Sequence, residues 1–281
     1  MKADVLKKLT GRQKNFLIIG VCGLLVLFLY GNTLFSGFVY DDKQQVVENE
    51  YIRSFSYLPK VITGCIWESA FGQCKDRALY WRPFHSFSYL VSYQISSEPW
   101  IFHLLNVVYF FFILVLLFLV ARELTSHTFF AALAAFLFAM HPINTEVVNW
   151  VSAVPDLTFA LFSLLTVYLY IRFQKREKFA LKKLLYVYGA YVLALFAKEP
   201  ALLLPAILLL LDVAFFRKSL ASLFARQSLR TYAGFALLSA LALLLRFGVL
   251  GSLFPQGATP HGGFTFAEHV YAFVALLGKY A

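Results

Sequence analysis

Apolar segments long enough for membrane helices alternate with short polar connections along most of this chain. The first, residues 16–35, contains no charged residue and can cross roughly 30 Å of hydrocarbon as a helix. It is too long for a signal peptide, and no small-residue cleavage site follows it. The later apolar segments cover residues 100–121, 124–140, 157–171, 184–197, 201–216 and 232–245, with a last one from about residue 269. The pattern predicts an all-α polytopic membrane protein.

The number of segments predicts about seven spans and the start of an eighth. The last segment has only about a dozen residues before the chain ends at residue 281, too few for a span, so we expect a single transmembrane domain, 1–281, truncated at its C-terminus. Composition agrees with a membrane location, since 60% of the residues are hydrophobic and only 14% are charged, unlike an average soluble domain.

Lysine and arginine residues predict the orientation in the membrane. They precede the first span and return in every second connection, and short cytoplasmic loops retain such residues. The N-terminus is therefore predicted to be cytoplasmic, and the loops predicted to face the outside or an organelle lumen are 36–99, 141–156, 198–200 and 249–268. The net charge of +10 follows mostly from this pattern. Because the cations are divided among loops, we expect no nucleic-acid partner.

The first outer loop, residues 36–99, is the one large hydrophilic segment. Pro83 suits the first position of a helix, and the aromatic residues after it predict a helix at the membrane interface. Cys65 and Cys74 both fall in this loop, where an oxidising compartment allows a disulfide bond between them; a disulfide and two separate thiols both stay open. Cys22 lies within the first span, where packing explains it.

Asp41 and Asp42 follow directly on the first span, in the sequence GFVYDD. Two adjacent carboxylates at headgroup level suit a general base that takes a proton from a hydroxyl group. The alternative is that both are solvated charges at the end of a helix.

Cationic residues in the outer loops form a second candidate element. Arg82 precedes a helix N-terminus, an arrangement that favours a phosphate, although a snorkelling arginine is the alternative. Lys198 and Glu199 lie in a tight connection between two spans, where ionisable residues are expensive unless they face protein or water. An ion pair that holds a hairpin and a role in phosphate positioning both remain open for them.

The connection 141–156 contributes further polar residues. His141 is either a satisfied histidine at a helix end or a donor-binding residue. Glu146 and Asp156 are either helix caps or second carboxylates of a site that could hold a divalent metal ion, so whether a metal is needed stays unknown. Asp212, at the predicted cytoplasmic end of a span, is interpreted as structural.

No glycine-rich phosphate loop, nucleotide-binding signature or Cys/His metal spacing occurs in the chain. An outward site with a base, cations for a phosphate and a flank open to lipid suits transfer of a sugar from a polyprenyl-phosphate carrier, which needs no nucleotide pocket. The phosphate is the leaving group, so catalysis requires deprotonating the acceptor and stabilising the departing charge.

The order of motifs resembles a known family. DD after the first span, YWRPF before the second, FHLLNVVYFF within it, HPINTEVVNWVSAVPD after the third and AKEPALLLP further on are similar to the transmembrane and tetratricopeptide-repeat O-mannosyltransferases and their bacterial relatives. These belong to the C-type membrane glycosyltransferases, which use polyprenyl-phosphate sugars.

The resemblance implies a C-type glycosyltransferase-like transmembrane bundle and an inverting transfer to a hydroxyl acceptor on a protein or glycan. It places the catalytic aspartate at Asp41 or Asp42, and the donor site at Arg82, Glu146, Asp156, Lys198 and Glu199. Relatives often have Gly-Arg-x-Asp before the second-loop aspartate, whereas this chain has Ala-Val-Pro-Asp at 153–156, so the donor sugar, with mannose as the candidate, stays open. We expect a bacterial inner membrane rather than the endoplasmic reticulum.

Two rival functions remain. A transporter is the main alternative, because short proline-interrupted spans with ionisable residues at depth also indicate a substrate pathway. A non-catalytic flippase partner or assembly subunit is the other.

Overall fold

The computed structural model describes residues 10–72, 80–175 and 181–251, with residues 268, 271 and 275. Within these ranges all regular secondary structure is helical, without a strand, as predicted. The α-helices are α1 (Gly11–Tyr30), α2 (Leu58–Thr63), α3 (Glu68–Phe71), α4 (Pro83–Ile95), α5 (Pro99–Thr125), α6 (Thr128–Met140), α7 (Asn144–Asn149), α8 (Val154–Gln174), α9 (Leu181–Ala197), α10 (Leu204–Ala214), α11 (Leu220–Leu223) and α12 (Arg226–Leu250). Shorter turns of helix connect them at Gly31–Phe35, Lys43–Val47, Glu50–Ile52, Phe55–Tyr57, Val151–Ala153 and Glu199–Leu203.

Helical segments long and apolar enough to cross a membrane confirm an integral membrane protein. Four such segments occur among the described residues, at Asn15–Phe35, Pro99–Thr125, Val151–Gln174 and Arg226–Leu250. Three other predicted segments form the shorter helices α6, α9 and α10. The segment predicted from residue 269 lies outside the described residues except at 271 and 275. The number of spans therefore stays a prediction.

Local sequence signals explain several helix ends. Thr10 and Gln13 exchange hydrogen bonds between side chain and backbone at the start of α1, which satisfies two otherwise unpaired N–H groups. Helices α4 and α5 begin at a proline, whose missing N–H costs nothing at that position. Ser126, with a φ of 60°, ends α5 in the left-handed conformation and lets α6 turn back along it.

Two apolar clusters hold the long helices together. In one, the buried rings of Tyr191 in α9 and Phe235 in α12 meet edge to face with centroids 5.1 Å apart. In the other, Tyr30 of α1 contacts Phe110 of α5 with centroids 5.1 Å apart, and its hydroxyl donates to the carbonyl of Ala139 in α6 at 3.2 Å. Helix α6 buries alanines at every fourth position, 131, 135 and 139, and such small residues let membrane helices approach closely.

Ion pairs mark the two ends of α8. At its first turn Asp156 binds Lys198, and near its last turn Arg172 binds Glu123 of α5 at 3.1 Å. The helix between Asp156 and Arg172 separates the two pairs by roughly 24 Å. The predicted outer loops thus meet at one end of the bundle, and the basic connections lie at the other.

A fully buried carboxylate organises the end with the basic connections. Asp212 of α10 accepts hydrogen bonds from the hydroxyls of Tyr170 and Tyr232 at 2.8 and 3.0 Å, from the side-chain amide of Gln174 at 3.2 Å, and from the ammonium group of Lys218 at 2.8 Å. These donors come from α8, from α12 and from the connection after α10. The structure therefore supports a structural role for Asp212.

Replacing Asp212 by alanine should lower the free energy of unfolding by about 3–5 kcal/mol, because it leaves buried donors, one of them charged, without an acceptor. Unfolding of the detergent-solubilised protein measures the loss. The control is Glu48→Ala, which removes an exposed pair with Lys43 at 3.7 Å and should cost no more than about 1 kcal/mol. Equal losses in both variants would contradict this role.

Candidate functional site

One of the two adjacent aspartates after the first span is a structural anchor. Asp42 is fully buried. Its Oδ2 atom accepts a hydrogen bond from the backbone N–H of Val39 at 2.9 Å. Its Oδ1 atom accepts from the backbone N–H of Ser152 at 2.9 Å and from the Ser152 hydroxyl. Asp42 thereby ties the first outer loop to the short helical turn before α8.

The other aspartate is not held in this way. Asp41 is half-buried, and its backbone carbonyl accepts a hydrogen bond from Gln45 at 2.8 Å. Over the described ranges its side chain makes no hydrogen bond or ion pair. A carboxylate already holding three donors has little capacity for a new proton-transfer partner, so Asp41, which is half-buried and makes no side-chain hydrogen bond to the described residues, is the better candidate. The geometry therefore separates two residues that the sequence alone does not distinguish.

Two arginines share one carboxylate in the second part of the site. Arg82, directly before α4, donates to Oε2 of Glu199 from Nε at 3.2 Å and from Nη2 at 2.8 Å. Arg246 of α12 donates from Nη1 to Oε1 of the same carboxylate at 2.7 Å. Both arginine side chains are 14% exposed, and that of Glu199 is 29% exposed. Arg82 also lies over the ring of Tyr80, with 4.5 Å between the guanidinium carbon and the ring centroid.

The arginines keep Glu199 ionised. Burial alone would raise the pKa of its carboxyl group, but the hydrogen bonds and charge of Arg82, with the hydrogen bond of Arg246, outweigh burial and lower the pKa. Two guanidinium groups around one carboxylate leave this cluster with an excess positive charge.

Lys198 and Glu199 do not form the mutual pair that their adjacency in the sequence suggested. Lys198 binds Asp156 at the start of α8, while Glu199 binds the arginines. Each side chain thus connects the turn between α9 and α10 to a different part of the bundle.

Helix α4 connects the aspartates with the arginines. Its first turn adjoins Arg82, and two turns later the hydroxyl of Tyr89 donates to the carbonyl of Val151 at 2.9 Å, next to the Ser152 that holds Asp42. The seven-residue step from Arg82 to Tyr89 corresponds to a rise of roughly 10 Å along the helix axis. The predicted helix after Pro83 is confirmed. Tyr89 is buried and Phe84 packs edge to face on Phe162 with centroids 4.7 Å apart, whereas Phe87 is exposed.

The remaining candidates lie outside these contacts or stay predictions. His141 and Glu146 are exposed, and Nδ1 of His141 accepts from the backbone N–H of Ile143 at 3.2 Å. Cys65 is disulfide-bonded, but Cys74 lies outside the described residues, so their pairing stays a prediction. In the part of the chain that the structure describes, no three His, Cys, Asp or Glu side chains are grouped to hold a metal ion, and a divalent metal also stays a prediction.

Sequence reasoning missed three residues of this region. Arg246 lies at the end of a long apolar segment, and a lone arginine in or beside a span is itself a signal of a buried partner. Ser152 and His85 carry no such signal, because a serine or a histidine in a loop or helix has many ordinary roles.

The fold and these contacts define a helical integral membrane protein with a charged site at one end of its bundle. The chain is 31% identical over 198 residues to Protein O-mannosyl-transferase Tmtc2 of Drosophila melanogaster, covering 68% of this chain and 21% of that protein. It is 30% identical over 157 residues to Protein O-mannosyl-transferase TMTC3 of Homo sapiens, covering 56% and 16%. With Protein O-mannosyl-transferase Tmtc1 of Drosophila melanogaster the identity is 30% over 161 residues, covering 57% and 19%.

These relatives confirm the resemblance that the motifs indicated: the chain is homologous to a part of the protein O-mannosyl-transferases. It spans about a fifth of the length of the curated relatives it matches. No family model matches the chain, and no solved structure matches it.

Asp42→Asn should lower the free energy of unfolding by about 1–3 kcal/mol, because an amide cannot accept from Val39 and Ser152 on both of its atoms and leaves a buried donor unpaired. Asp41→Asn is the matched variant and should change it by less than about 0.5 kcal/mol. Unfolding in detergent without any ligand measures both. A larger loss for Asp41→Asn than for Asp42→Asn would reverse the assignment of anchor and available carboxylate.

Glu199 should make stability fall in acid. Its folded pKa lies below the ordinary value of 4.5, so its contribution is present above that value and is lost as pH falls through the folded pKa. Glu199→Gln should therefore lose less stability than the wild type when pH is lowered below about 4.5. The control, Glu98→Gln at an exposed position, should follow the wild-type curve. Identical curves for wild type and Glu199→Gln would show that the arginines do not depress this pKa.

Proposed function

We propose that this chain forms the membrane part of a glycosyltransferase, which transfers a sugar from a polyprenyl-phosphate carrier to a hydroxyl group of a protein acceptor. One observation carries the proposal. The available carboxylate of Asp41 and the paired arginines Arg82 and Arg246 lie at the same end of the bundle, in a chain homologous to protein O-mannosyl-transferases. The names of those relatives support mannose as the sugar.

Asp41 is the proposed general base. It takes the proton of the acceptor hydroxyl as that oxygen forms a bond to the anomeric carbon of the sugar. The bond between this carbon and the phosphate oxygen breaks, and the electron pair leaves with the polyprenyl phosphate. A positioned base of this kind contributes about 10²–10⁴-fold to the rate. Asp42 serves it indirectly, by fixing the loop on which it lies to Ser152.

Arg82 and Arg246 are proposed to bind the phosphate. Arginine presents donors in a planar fork that fits phosphate oxygens, and both guanidinium groups are held in place by Glu199 before any ligand arrives. Donors fixed in advance stabilise the charge that develops on the leaving phosphate without reorganising. Lys198, paired with Asp156, adds a further cation beside this cluster.

The predicted topology places the reaction on the extracytoplasmic face, with the N-terminus in the cytoplasm. The apolar helices support an integral membrane location. The relatives compared come from animals, so they give no support to the bacterial inner membrane that was expected from the sequence.

Asp41→Asn should lower the turnover number by at least tenfold, a loss of about 1.4 kcal/mol of transition-state stabilisation. The assay uses the purified full-length protein, polyprenyl-phosphate mannose and an acceptor peptide containing serine and threonine. Glu48→Gln, which changes an exposed carboxylate of the same loop, is the control and should transfer at the wild-type rate. A wild-type turnover number in Asp41→Asn would show that Asp41 is not the general base.

A further inference from the structure

A buried histidine in α4 lacks hydrogen-bond partners. The side chain of His85 is 1% exposed, and neither ring nitrogen has a partner among the described residues. Its ring contacts the ring of Tyr89 edge to face, with centroids 4.4 Å apart. A buried polar group left unpaired costs about 1–3 kcal/mol, so such groups in native proteins call for a specific explanation.

The position of His85 suggests that explanation. It lies one helical turn after Arg82, whose carbonyl accepts the backbone N–H of His85 at 3.0 Å. It lies one turn before Tyr89, whose hydroxyl holds the segment that carries Ser152 and thereby Asp42. Along α4, His85 therefore lies between Arg82, which binds phosphate in the proposed reaction, and Tyr89, which contacts the segment that holds Asp42.

The protonation state narrows what His85 can bind. Burial, with the nearby charge of Arg82, lowers the pKa of His85 to about 3, so the ring is neutral at physiological pH. A neutral imidazole has one N–H donor and one acceptor nitrogen. A sugar hydroxyl both donates and accepts, and so can pair with either nitrogen of such a ring. A phosphate offers mainly acceptor oxygens and is better served by the arginines.

We propose that His85 is a specificity-determining residue that hydrogen-bonds a hydroxyl group of the carrier-linked sugar, between the phosphate-binding arginines and the first outer loop. This inference rests on the proposed function and names the part of the substrate to which the buried ring hydrogen-bonds. A site with a buried group committed to one hydroxyl discriminates strongly against a sugar that lacks it, because the protein group is then left unpaired.

The test compares polyprenyl-phosphate mannose with the analogues that each lack one hydroxyl group of the sugar. With wild-type protein, at least one analogue should show a kcat/KM more than about 100-fold below that of the parent donor. His85→Phe keeps an aromatic ring and removes both nitrogens. In this variant kcat/KM for the parent donor should fall, and the ratio of kcat/KM between the parent donor and that same analogue should approach one. His85→Gln, which retains a donor and an acceptor, should restore part of the discrimination.

Stability measured without donor separates this role from a structural one. His85→Phe should unfold at a temperature equal to or above that of the wild type, because it removes unpaired buried nitrogens, and polyprenyl-phosphate mannose should stabilise it less. His127→Phe is the control: its histidine is exposed between α5 and α6, and its donor discrimination should match the wild type.

The outcomes distinguish this inference from the proposed function. If wild-type protein transfers mannose and His85→Phe keeps the wild-type ratio between parent donor and every analogue, the role of His85 is overturned and the proposed function stands. If His85→Phe fails to fold, the ratio is measured in His85→Leu instead, and an unchanged ratio there overturns the role of His85 as well. If wild-type protein transfers no sugar from any donor, the proposed function fails, and this inference with it.

Discussion

The charged end of the bundle depends on the pairing of Glu199 with two arginines. Arg82 and Glu199 are 117 positions apart in the chain, and Arg246 lies 47 positions beyond Glu199. Two guanidinium groups brought together without a carboxylate would repel each other and lose solvation. Glu199 offsets both costs, and the preceding Lys198 binds Asp156 in the same turn. This two-residue turn therefore joins α8, α12 and the start of α4.

The same end of the molecule contains polar side chains that are fully hydrogen-bonded and others that have no hydrogen-bond partner among the described residues. Asp42 is saturated by backbone and hydroxyl donors, and its loss should appear in stability. Both ring nitrogens of His85 are buried without a hydrogen-bond partner within the described part of the chain, and the half-buried side chain of Asp41 makes no hydrogen bond there either. Loss of these two residues should appear in chemistry. Unpaired buried polar groups in native proteins call for an explanation, and the proposed function supplies one for His85 by assigning it, with Asp41, to the substrate.

Periodicity, charge and motif order were enough to predict the helical membrane fold, the helix after Pro83 and the convergence of outer loops. These features follow from local composition and from the solvent preference of each segment. The sequence alone could not predict which aspartate is the structural anchor, Asp42, and which is the proposed general base, Asp41. The distinction depends on the contact of Asp42 with Ser152, which is 110 positions away in the chain. The same holds for Arg246, whose partner Glu199 is set by how α12 packs, and a single sequence does not reveal such long-range packing.

The most direct test of the central pairing is a double-mutant cycle of Arg82→Met and Glu199→Gln, read as free energies of unfolding of the detergent-solubilised protein at neutral pH. Residues in direct contact typically couple by about 0.5–3 kcal/mol. For this partly buried pair we expect a coupling energy of about 1 kcal/mol or more, so the double variant should lose less stability than the two single variants lose together. Additivity of the two single losses to within about 0.3 kcal/mol would contradict the account, because the arginine and the carboxylate would then not be joined.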